Sequence, residues 1–181
     1  AQTVREFVGD IEQESERLAR ITENLLRLTR LDSGLLPEAQ RVDLSSVVAR
    51  VARMLRLVAE EKKVDLSYEV RREGQTLASE DEIHEIIYNL TENAIKYNHP
   101  GGFVKLALAG DEDNCLLTVS DDGIGIPEED MPRIFDRFYR VDKMRSRAAG
   151  GTGLGLSIAA DTARRRGGSI EVCAREGGGT V

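Results

Sequence analysis

The chain has 181 residues, of which 40% are hydrophobic and 31% charged, as expected for one soluble globular domain or one domain with an appended element. The formal net charge of −7 and the pI near 5.0 argue against a general nucleic-acid binder, because such a protein needs a basic surface.

The first 32 residues follow a heptad pattern that predicts one long helix. The hydrophobic seam is narrow, with Glu14 as its one polar position, and the other faces of the helix are charged. We therefore favour a helix that packs in a bundle with helices outside this chain over a helix that covers the core of its own domain. The seam residues are Val4, Phe7, Ile11, Glu14, Leu18, Ile21, Leu25 and Leu28.

Turn-forming residues end this helix, and residues 33–42 are predicted to form a linker. Asp43 is predicted to be the N-cap of a helix that reaches about Lys62. Because strands outnumber simple β-α-β crossovers, we expect a mixed sheet with helices packed on one face. The other predicted elements are strand Val64–Val70, a helix from a Ser79/Glu82 capping box to Tyr97, a hairpin of strands Phe103–Ala109 and Cys115–Ser120, a helix from Gly153 to about Arg166, and strand Ser169–Ala174.

Three sequence features bear on the cellular setting. Cys115 and Cys173 lie in apolar alternating stretches, which predicts buried, reduced thiols in a cytosolic protein, since a disulfide framework needs more cysteines. No apolar run of about 18 residues is present, so no membrane-spanning helix is predicted. The sequence begins at Ala1 in mid-pattern, so we expect it to be part of a longer protein.

Asn89 and Asn93 are four residues apart on a predicted helix and therefore share a face. Their side-chain carbonyl oxygens are hard ligands that suit Mg²⁺. Lys96 and Tyr97 follow within a turn; an ammonium group can reach phosphate oxygens, and a tyrosine ring can stack on a purine. The alternative is that the asparagines merely face solvent.

Two glycine-rich turns complete the candidate site. Residues 121–125, with the sequence Asp-Asp-Gly-Ile-Gly, end a predicted strand, where a carboxylate can accept a hydrogen bond from an exocyclic amine and glycines let the backbone approach a flat ring. Residues 150–155 precede a helix, whose free backbone N–H groups can bind phosphate. This run is neither a Rossmann fingerprint nor a P-loop. The alternatives are an acidic surface turn and a flexible loop.

The order and spacing of these segments, with Phe135-x-x-Phe138-Tyr139 between the two turns, resemble the N, G1, F and G2 boxes of the sensor histidine kinases of two-component systems. The resemblance implies a Bergerat-type ATP-binding α/β two-layer sandwich, also found in type II topoisomerases and 90-kDa heat-shock chaperones. Residues 1–40 would be the second helix of a dimerisation and phosphoacceptor hairpin plus a linker. Residues 41–181 would be the catalytic domain without its last strand.

The resemblance also implies roles for individual residues. Asn93 would coordinate Mg²⁺ with the help of Asn89, and Asp121 would read the adenine amino group. In relatives that hydrolyse ATP a Glu that activates water stands in place of Asn89, and an Asn cannot be a general base, which favours phosphoryl transfer to a side chain. Lys96 and Arg140 would contact phosphates, and Tyr97 would contact the adenine, whose pocket Gly123 and Gly125 would shape. Phe135 and Phe138 would anchor a lid of roughly residues 126–150 to the sheet. The triphosphate would be lined by Gly151, Thr152, Gly153, Leu154 and Gly155.

The sequence departs from the family at the phosphoacceptor box, His-Glu-x-x-Thr-Pro, which is absent. His84-Glu85 begins such a box but does not continue it, so we interpret His84 as a packing or surface residue and His99 as a loop residue. Arg164, Arg165 and Arg166 are interpreted as a helix end that complements the helix dipole. The chain is thus expected to carry the kinase machinery without its own target.

The implied partners are a response regulator and a second copy of the chain, through the N-terminal helix, with no nucleic acid. The implied location is the cytoplasmic part of a bacterial inner-membrane sensor. Three alternatives remain open: a nucleotide-binding module without turnover, a serine kinase of the same fold that acts on a regulator, and a chaperone or topoisomerase ATPase. The dimerisation-type helix argues against the serine kinase, and Asn89 argues against the ATPase.

Overall fold

The computed structural model describes residues 8, 9, 11, 14, 15, 18, 19, 21–23, 25, 26, 28, 29, 33, 34, 37–110, 114–141 and 152–181. The described residues between 8 and 29 are helical, and we call this segment α1. The following elements are β1 (Gln40–Asp43), α2 (Leu44–Lys62), β2 (Asp65–Val70), β3 (Gln75–Ala78), α3 (Glu80–Lys96), β4 (Phe103–Gly110), β5 (Cys115–Asp121), a 3-10 turn (Met131–Arg133) and α4 (Gly155–Arg165).

Both helix starts that were predicted from capping residues are confirmed. The side chain of Asp43 accepts a hydrogen bond of 3.0 Å from the N–H group of Ser45 and so caps α2. At the start of α3, the N–H group of Ser79 donates to the Glu82 carboxylate at 2.8 Å, which is the reciprocal half of a capping box. Lys63 ends α2 in the left-handed conformation with φ 57°.

Strand β4 is the centre of a three-stranded mixed sheet, as predicted. It pairs in parallel with β2, so that Asp65 lies opposite Phe103, and antiparallel with β5, so that Val104 lies opposite Asp121. Strands β1 and β3 form a separate antiparallel pair. The predicted β4–β5 hairpin is therefore confirmed, and it places Asp121 where β5 ends.

Helices α2 and α3 pack together with the sheet around one hydrophobic core. Fully buried side chains contribute about 1.5–3 kcal/mol each, and this core fixes the position of α3 relative to β5. Its least exposed members are Val47, Val48, Val51, Leu55, Ala59, Ile87, Ile95, Val104 and Leu106.

The prediction of buried cysteines is wrong, because Cys115 and Cys173 are both exposed, free thiols. Cys115 is the first residue of β5, which lies at the edge of the three-stranded sheet. Cys173 lies outside the strands, and its thiol donates to the carbonyl of Val181 at 3.7 Å. The apolar alternation around each residue does not reveal that it lies at the end of a paired segment.

The predicted strand from Ser169 to Ala174 is also wrong. Pairing begins only at its end, where Cys173 and Val181 exchange two N–H···O bonds of 2.8 and 2.9 Å and Ala174 bridges Thr180. Among the described residues, residues 169–172 have no neighbouring strand that would continue this ladder. Conversely, β1 begins inside the predicted linker, and β1 and β3 were missed because each has only four residues.

The seam of α1 divides into an exposed part and a buried end. Ile11, Leu18 and Leu25 are 53%, 57% and 44% exposed, whereas Leu28 is 5% exposed and packs against Leu154 and Ile158 at the start of α4. Val4 and Phe7 lie outside the described residues. Within the described part of the chain, no helix is both long enough and apolar enough to cross a membrane.

Candidate functional site

Asn89 and Asn93 lie on the face of α3 that does not enter the core, and both are half-buried. The glycine run at the start of α4 approaches this face closely. A Cβ atom on Gly155 would lie 2.8 Å from Oδ1 and 3.3 Å from Cγ of Asn89. The fold therefore brings together two predicted site segments that are more than 60 residues apart in the sequence.

The end of α3 connects this face to the acidic turn. The carbonyl of Tyr97, the C-cap of α3, accepts a hydrogen bond of 3.2 Å from the N–H group of Ile124. The Lys96 ammonium lies 5.5 Å from the centroid of the Tyr97 ring. A Cβ atom on Gly123 would lie 2.7 Å from the Tyr97 carbonyl, so this close approach depends on glycine.

Asp121 is only 9% exposed, and its Oδ1 accepts a hydrogen bond of 2.9 Å from the Gly123 N–H group. Burial raises the pKa of Asp121, although backbone hydrogen bonds from Gly123 and Thr180 oppose the shift. The unfolded carboxyl group ionises near pH 4, so folding favours the protonated form between that pH and the raised pKa. The contribution of Asp121 to stability is therefore largest below its unfolded pKa and falls as the pH rises through this window.

The neighbouring carboxylate, Asp122, supports the turn. Its Oδ1 accepts a 2.6 Å hydrogen bond from the Phe103 N–H group. Burial acts to raise the pKa of Asp122, but this bond and one from the Asn98 side chain outweigh it, and the pKa lies below its ordinary value. His99, predicted to be a loop residue, lies in the loop after α3, with Nε2 3.0 Å from the Asp122 carbonyl oxygen. The sequence does not reveal this support, because Asp122 follows the loop of Asn98, His99 and Phe103 by about 20 residues and meets it only in the fold.

A glycine near the end of the chain also belongs to the acidic turn. Gly125 has φ +69°, and a Cβ atom on it would lie 3.4 Å from the carbonyl oxygen of Gly179. Gly179 has φ +92° and lies against the carbonyl of Asp121, where a side chain cannot fit. The N–H group of Asp121 donates to the carbonyl of Thr180 at 2.9 Å. The sequence signal for this contact is the Gly177–Gly179 run.

The predicted aromatic segment touches the second glycine run through its backbone. The N–H group of Phe138 donates to the Gly153 carbonyl at 2.8 Å, and Phe138 itself has φ 65°. The Phe138 side chain is 60% exposed, so its ring does not anchor the segment to the sheet as predicted. Phe135 is half-buried. This backbone contact requires Gly153, because a Cβ atom there would lie 2.9 Å from the Phe138 carbonyl carbon.

Two other members of the glycine run have structural partners. Leu154 is fully buried against Leu28 and Ile158, so only its backbone can face a ligand. Its N–H group donates to the hydroxyl of Thr152 at 3.3 Å. Gly151 and residues 142–150, which include Lys143, Arg145 and Arg147 of the expected lid, lie outside the described residues.

Arg140 carries buried guanidinium nitrogens beside the glycine run. Its Nε and Nη2 atoms are buried, and neither has a hydrogen-bond partner among the described residues. The preceding residue, Tyr139, places its carbonyl oxygen 2.9 Å from the position of a Cβ atom on Gly153. Buried guanidinium donors are costly unless an acceptor satisfies them. The residues present therefore fit an anionic group, such as a phosphate, beside the glycine run.

Comparison with known proteins places this geometry in a family. Residues 78–181 match the model of the histidine kinase-, DNA gyrase B-, and HSP90-like ATPase family. The chain is 36% identical over 180 residues to the sensor-like histidine kinase SenX3 of Mycolicibacterium smegmatis, covering 99% of this chain and 47% of that protein. It is 34% identical over 184 residues to the sensor histidine kinase WalK of Bacillus subtilis, covering 97% of this chain and 29% of that protein.

A solved structure of full-length ShkA in complex with AMPPNP has a similar fold. The two proteins are 25% identical with a TM-score of 0.83, and the match covers 97% of this chain and 37% of that chain. The chain thus spans less than half the length of the curated relatives named above.

The contact between Gly153 and Phe138 generates a prediction about stability. Gly153→Ala and Gly167→Ala both place a Cβ on a left-handed residue, at φ +71° and +81°, but only Gly153 has backbone atoms within reach of that Cβ. The left-handed conformation costs about 1 kcal/mol in either variant, and the clash at Gly153 adds about 1–3 kcal/mol. Urea unfolding should show the larger loss for Gly153→Ala; equal losses would contradict the close contact.

Proposed function

Because this chain belongs to the histidine kinase-, DNA gyrase B-, and HSP90-like ATPase family, we propose that it binds ATP with Mg²⁺ and transfers the γ-phosphoryl group to a protein histidine. The observation that carries the proposal is the contact of Gly155 with Asn89. The contact supports the proposal because the N-terminus of α4, a kind of position that can bind phosphate, lies next to Asn89, a candidate oxygen ligand for a cation.

Each side of the site has a distinct task in this proposal. Asn93, with Asn89 beside it, would hold Mg²⁺, which would neutralise charge on the phosphates when bound. Arg140 and Lys96 supply further positive charge to the phosphates. The Asp121 carboxylate accepts a hydrogen bond from the adenine amino group, and Tyr97 lies beside the ring.

The character of Asn89 favours transfer over hydrolysis. An amide cannot accept a proton from water as a general base. Asn89 is half-buried, and its side chain lies against Gly155 at the end of the glycine run, where α4 begins. A side chain in that place can hold a cation but cannot activate a water molecule, which supports a protein side chain as the phosphoryl acceptor.

The acceptor histidine lies outside this chain in our proposal. His84 stacks on Tyr88 with ring centroids 6.0 Å apart, and His99 lies against the Asp122 carbonyl. Both are thus engaged in local structure. We propose that the acceptor is on a helical hairpin whose second helix is α1, and that the phosphoryl group then passes to a response regulator. We further propose that this chain belongs to a longer protein that is attached to a membrane, with this part in the cytoplasm.

The first prediction from this function concerns the recognition of adenine by Asp121. Asp121→Asn should weaken ATP binding by about 1–3 kcal/mol, because the charged acceptor is lost. The unfolding free energy of the nucleotide-free domain at pH 7 should not fall, because the ionised carboxylate is disfavoured by burial and an Asn oxygen can still accept from Gly123. Calorimetry and urea unfolding measure the two effects.

The control for this variant is Asp65→Asn, which makes the same change of charge at an exposed residue of β2. ATP affinity should be unchanged in the control. Equal affinity of Asp121→Asn and the parent for ATP would rule out the adenine assignment.

The second prediction concerns the metal. Asn93→Ala should abolish phosphoryl transfer to a supplied histidine-bearing hairpin while largely preserving nucleotide affinity, since Mg²⁺ acts mainly on the phosphates. Asn114→Ala is the control. Asn114 precedes β5, at the end of the strand opposite Asp121, and these two residues are about 20 Å apart along the strand. Transfer by Asn93→Ala at the parent rate would show that Asn93 is not a ligand.

The third prediction concerns assembly through α1. The exposed seam residues Leu18 and Leu25 represent apolar surface that association can bury, at about 1.5–3 kcal/mol for each side chain. We propose a two-fold homodimer. Sedimentation should detect it at micromolar concentration, and Leu18→Glu with Leu25→Glu should remove it. Met54→Glu with Leu57→Glu, at exposed positions of α2, should leave it intact; a strictly monomeric parent would contradict the proposal.

A further inference from the structure

Arg166, the residue that follows α4, joins two distant parts of the chain. Its Nε donates to Oε2 of Glu82 at 2.9 Å, and its Nη2 donates to the carbonyl oxygen of Pro37 at 2.8 Å. The side chains of Arg166 and Glu82 are 12% and 11% exposed, which makes this the least exposed ion pair among the described residues. The planar guanidinium is suited to such forked contacts.

The Glu82 carboxylate is itself held in place by α3. Its Oε2 atom also accepts the hydrogen bond from the Ser79 N–H group at 2.8 Å. Arg166 is thus bonded to a fixed carboxylate on one side and to the backbone between α1 and β1 on the other. The neighbouring Arg164 differs: it is 72% exposed and pairs with Asp161 on its own helix. Complementing the helix dipole, which the sequence suggested for both, does not account for the contacts of Arg166.

The same helix holds α1 at a second point. Leu28 packs against Leu154 and Ile158 at the start of α4, and all three side chains are buried. Ile158 and Arg166 are separated by eight residues, about 12 Å along the helix axis. The Leu28 contact alone would let α1 pivot about a point, whereas a second contact at Pro37, in the segment that follows α1, restricts its direction. The two contacts are also independent in kind, since one is apolar and the other is ionic.

We propose that Arg166 is a positioning residue, which holds the Pro37 carbonyl against Glu82 and thereby fixes the direction of α1 relative to the nucleotide site. The glycine run is at one end of α4 and Arg166 follows the other. For the rate of phosphoryl transfer, this inference rests on the proposed function, because a histidine on a hairpin containing α1 must reach the γ-phosphate in a near-attack geometry. The geometric part does not depend on that function.

The test measures distances between two spin labels in the 181-residue chain. Both native cysteines are replaced by serine, and labels are attached at Ala19→Cys in α1 and Leu57→Cys in α2, which are exposed positions. An excess of unlabelled chain removes distances between copies. The parent should give one narrow distribution, Arg166→Met a broad one, and Arg164→Met, the matched control, the parent distribution.

Two further variants cover the case in which Arg166→Met fails to fold because it leaves Glu82 unpaired. Arg166→Met with Glu82→Gln removes both charges. Arg166→Lys keeps one charge but not the fork that reaches both Oε2 of Glu82 and the Pro37 carbonyl. Both the double variant and Arg166→Lys should broaden the distribution of distances between the labels, and thermal unfolding checks that each variant is folded. A narrow, parent-like distribution in any folded Arg166 variant would overturn the proposal.

The kinetic readout uses the full-length protein that contains this chain. Arg166→Lys should lower kcat for phosphorylation of the histidine by about tenfold or more, since small misplacements of reacting groups are costly. Its Kd for ATP should stay within about twofold of the parent, because Arg166 contacts Glu82 and Pro37 and none of the candidate nucleotide ligands. An unchanged kcat with a broadened distance distribution would refute the role in transfer.

The two proposals fail in different ways. If the Arg166 variants broaden the distance distribution but the unsubstituted protein neither binds ATP nor transfers phosphate, the proposed function is refuted and the geometric role of Arg166 stands. A parent that transfers phosphate but whose Arg166 variants keep a narrow distribution would refute the role of Arg166 and leave the proposed function intact.

Discussion

The close approach of α4 to α3 is the constraint on which the candidate site depends. A Cβ atom on Gly155 would lie only 2.8 Å from Oδ1 of Asn89, so α4 could not begin where it does with a larger residue unless Asn89 moved. The packing behind this contact is rigid on both sides, because Ile87 and Ile95 hold α3 in the core and Leu154 is fully buried beneath α4. The N-terminus of α4 and the Asn89 side-chain oxygen therefore lie close together without either helix having to move.

The sequence predicted those parts of the fold that local chemistry determines. Asp43 and the Ser79/Glu82 pair marked two helix starts correctly, because capping uses residues within three positions of each other. The strand predicted over residues 169–174 failed because alternation says nothing about whether a partner strand lies alongside. The spacing of the site segments indicated a common pocket, but only the fold places Gly155 on Asn89. Arg166 was beyond prediction, because its partners precede it by 84 and 129 positions.

Helix α4 connects features that the sequence presents separately. The glycine run leads into its first turn, and its apolar face receives Leu28. Asp161 pairs with Arg137 of the aromatic segment at 3.2 Å, and Arg166 follows its end. A displacement at any of these contacts is transmitted along a stiff element rather than absorbed by a loop. This arrangement gives a physical route by which the position of α1 and the geometry of the nucleotide site can depend on each other.

Two side chains of opposite charge in the site, Asp121 and Arg140, lower the stability of the domain when no nucleotide is bound. Burial disfavours the ionised form of Asp121, and the buried Nε and Nη2 atoms of Arg140 lack partners among the described residues. Leaving a buried polar group unsatisfied costs about 1–3 kcal/mol, and more when it is charged. In the proposed function, the adenine amine would donate to Asp121, and phosphate oxygens would accept from Arg140. Nucleotide binding would therefore remove the free-energy cost of the buried Asp121 charge and of the unsatisfied Arg140 nitrogens. These two residues would favour ATP binding by more than their new contacts alone contribute. The same cost lowers the stability of the domain when no nucleotide is bound.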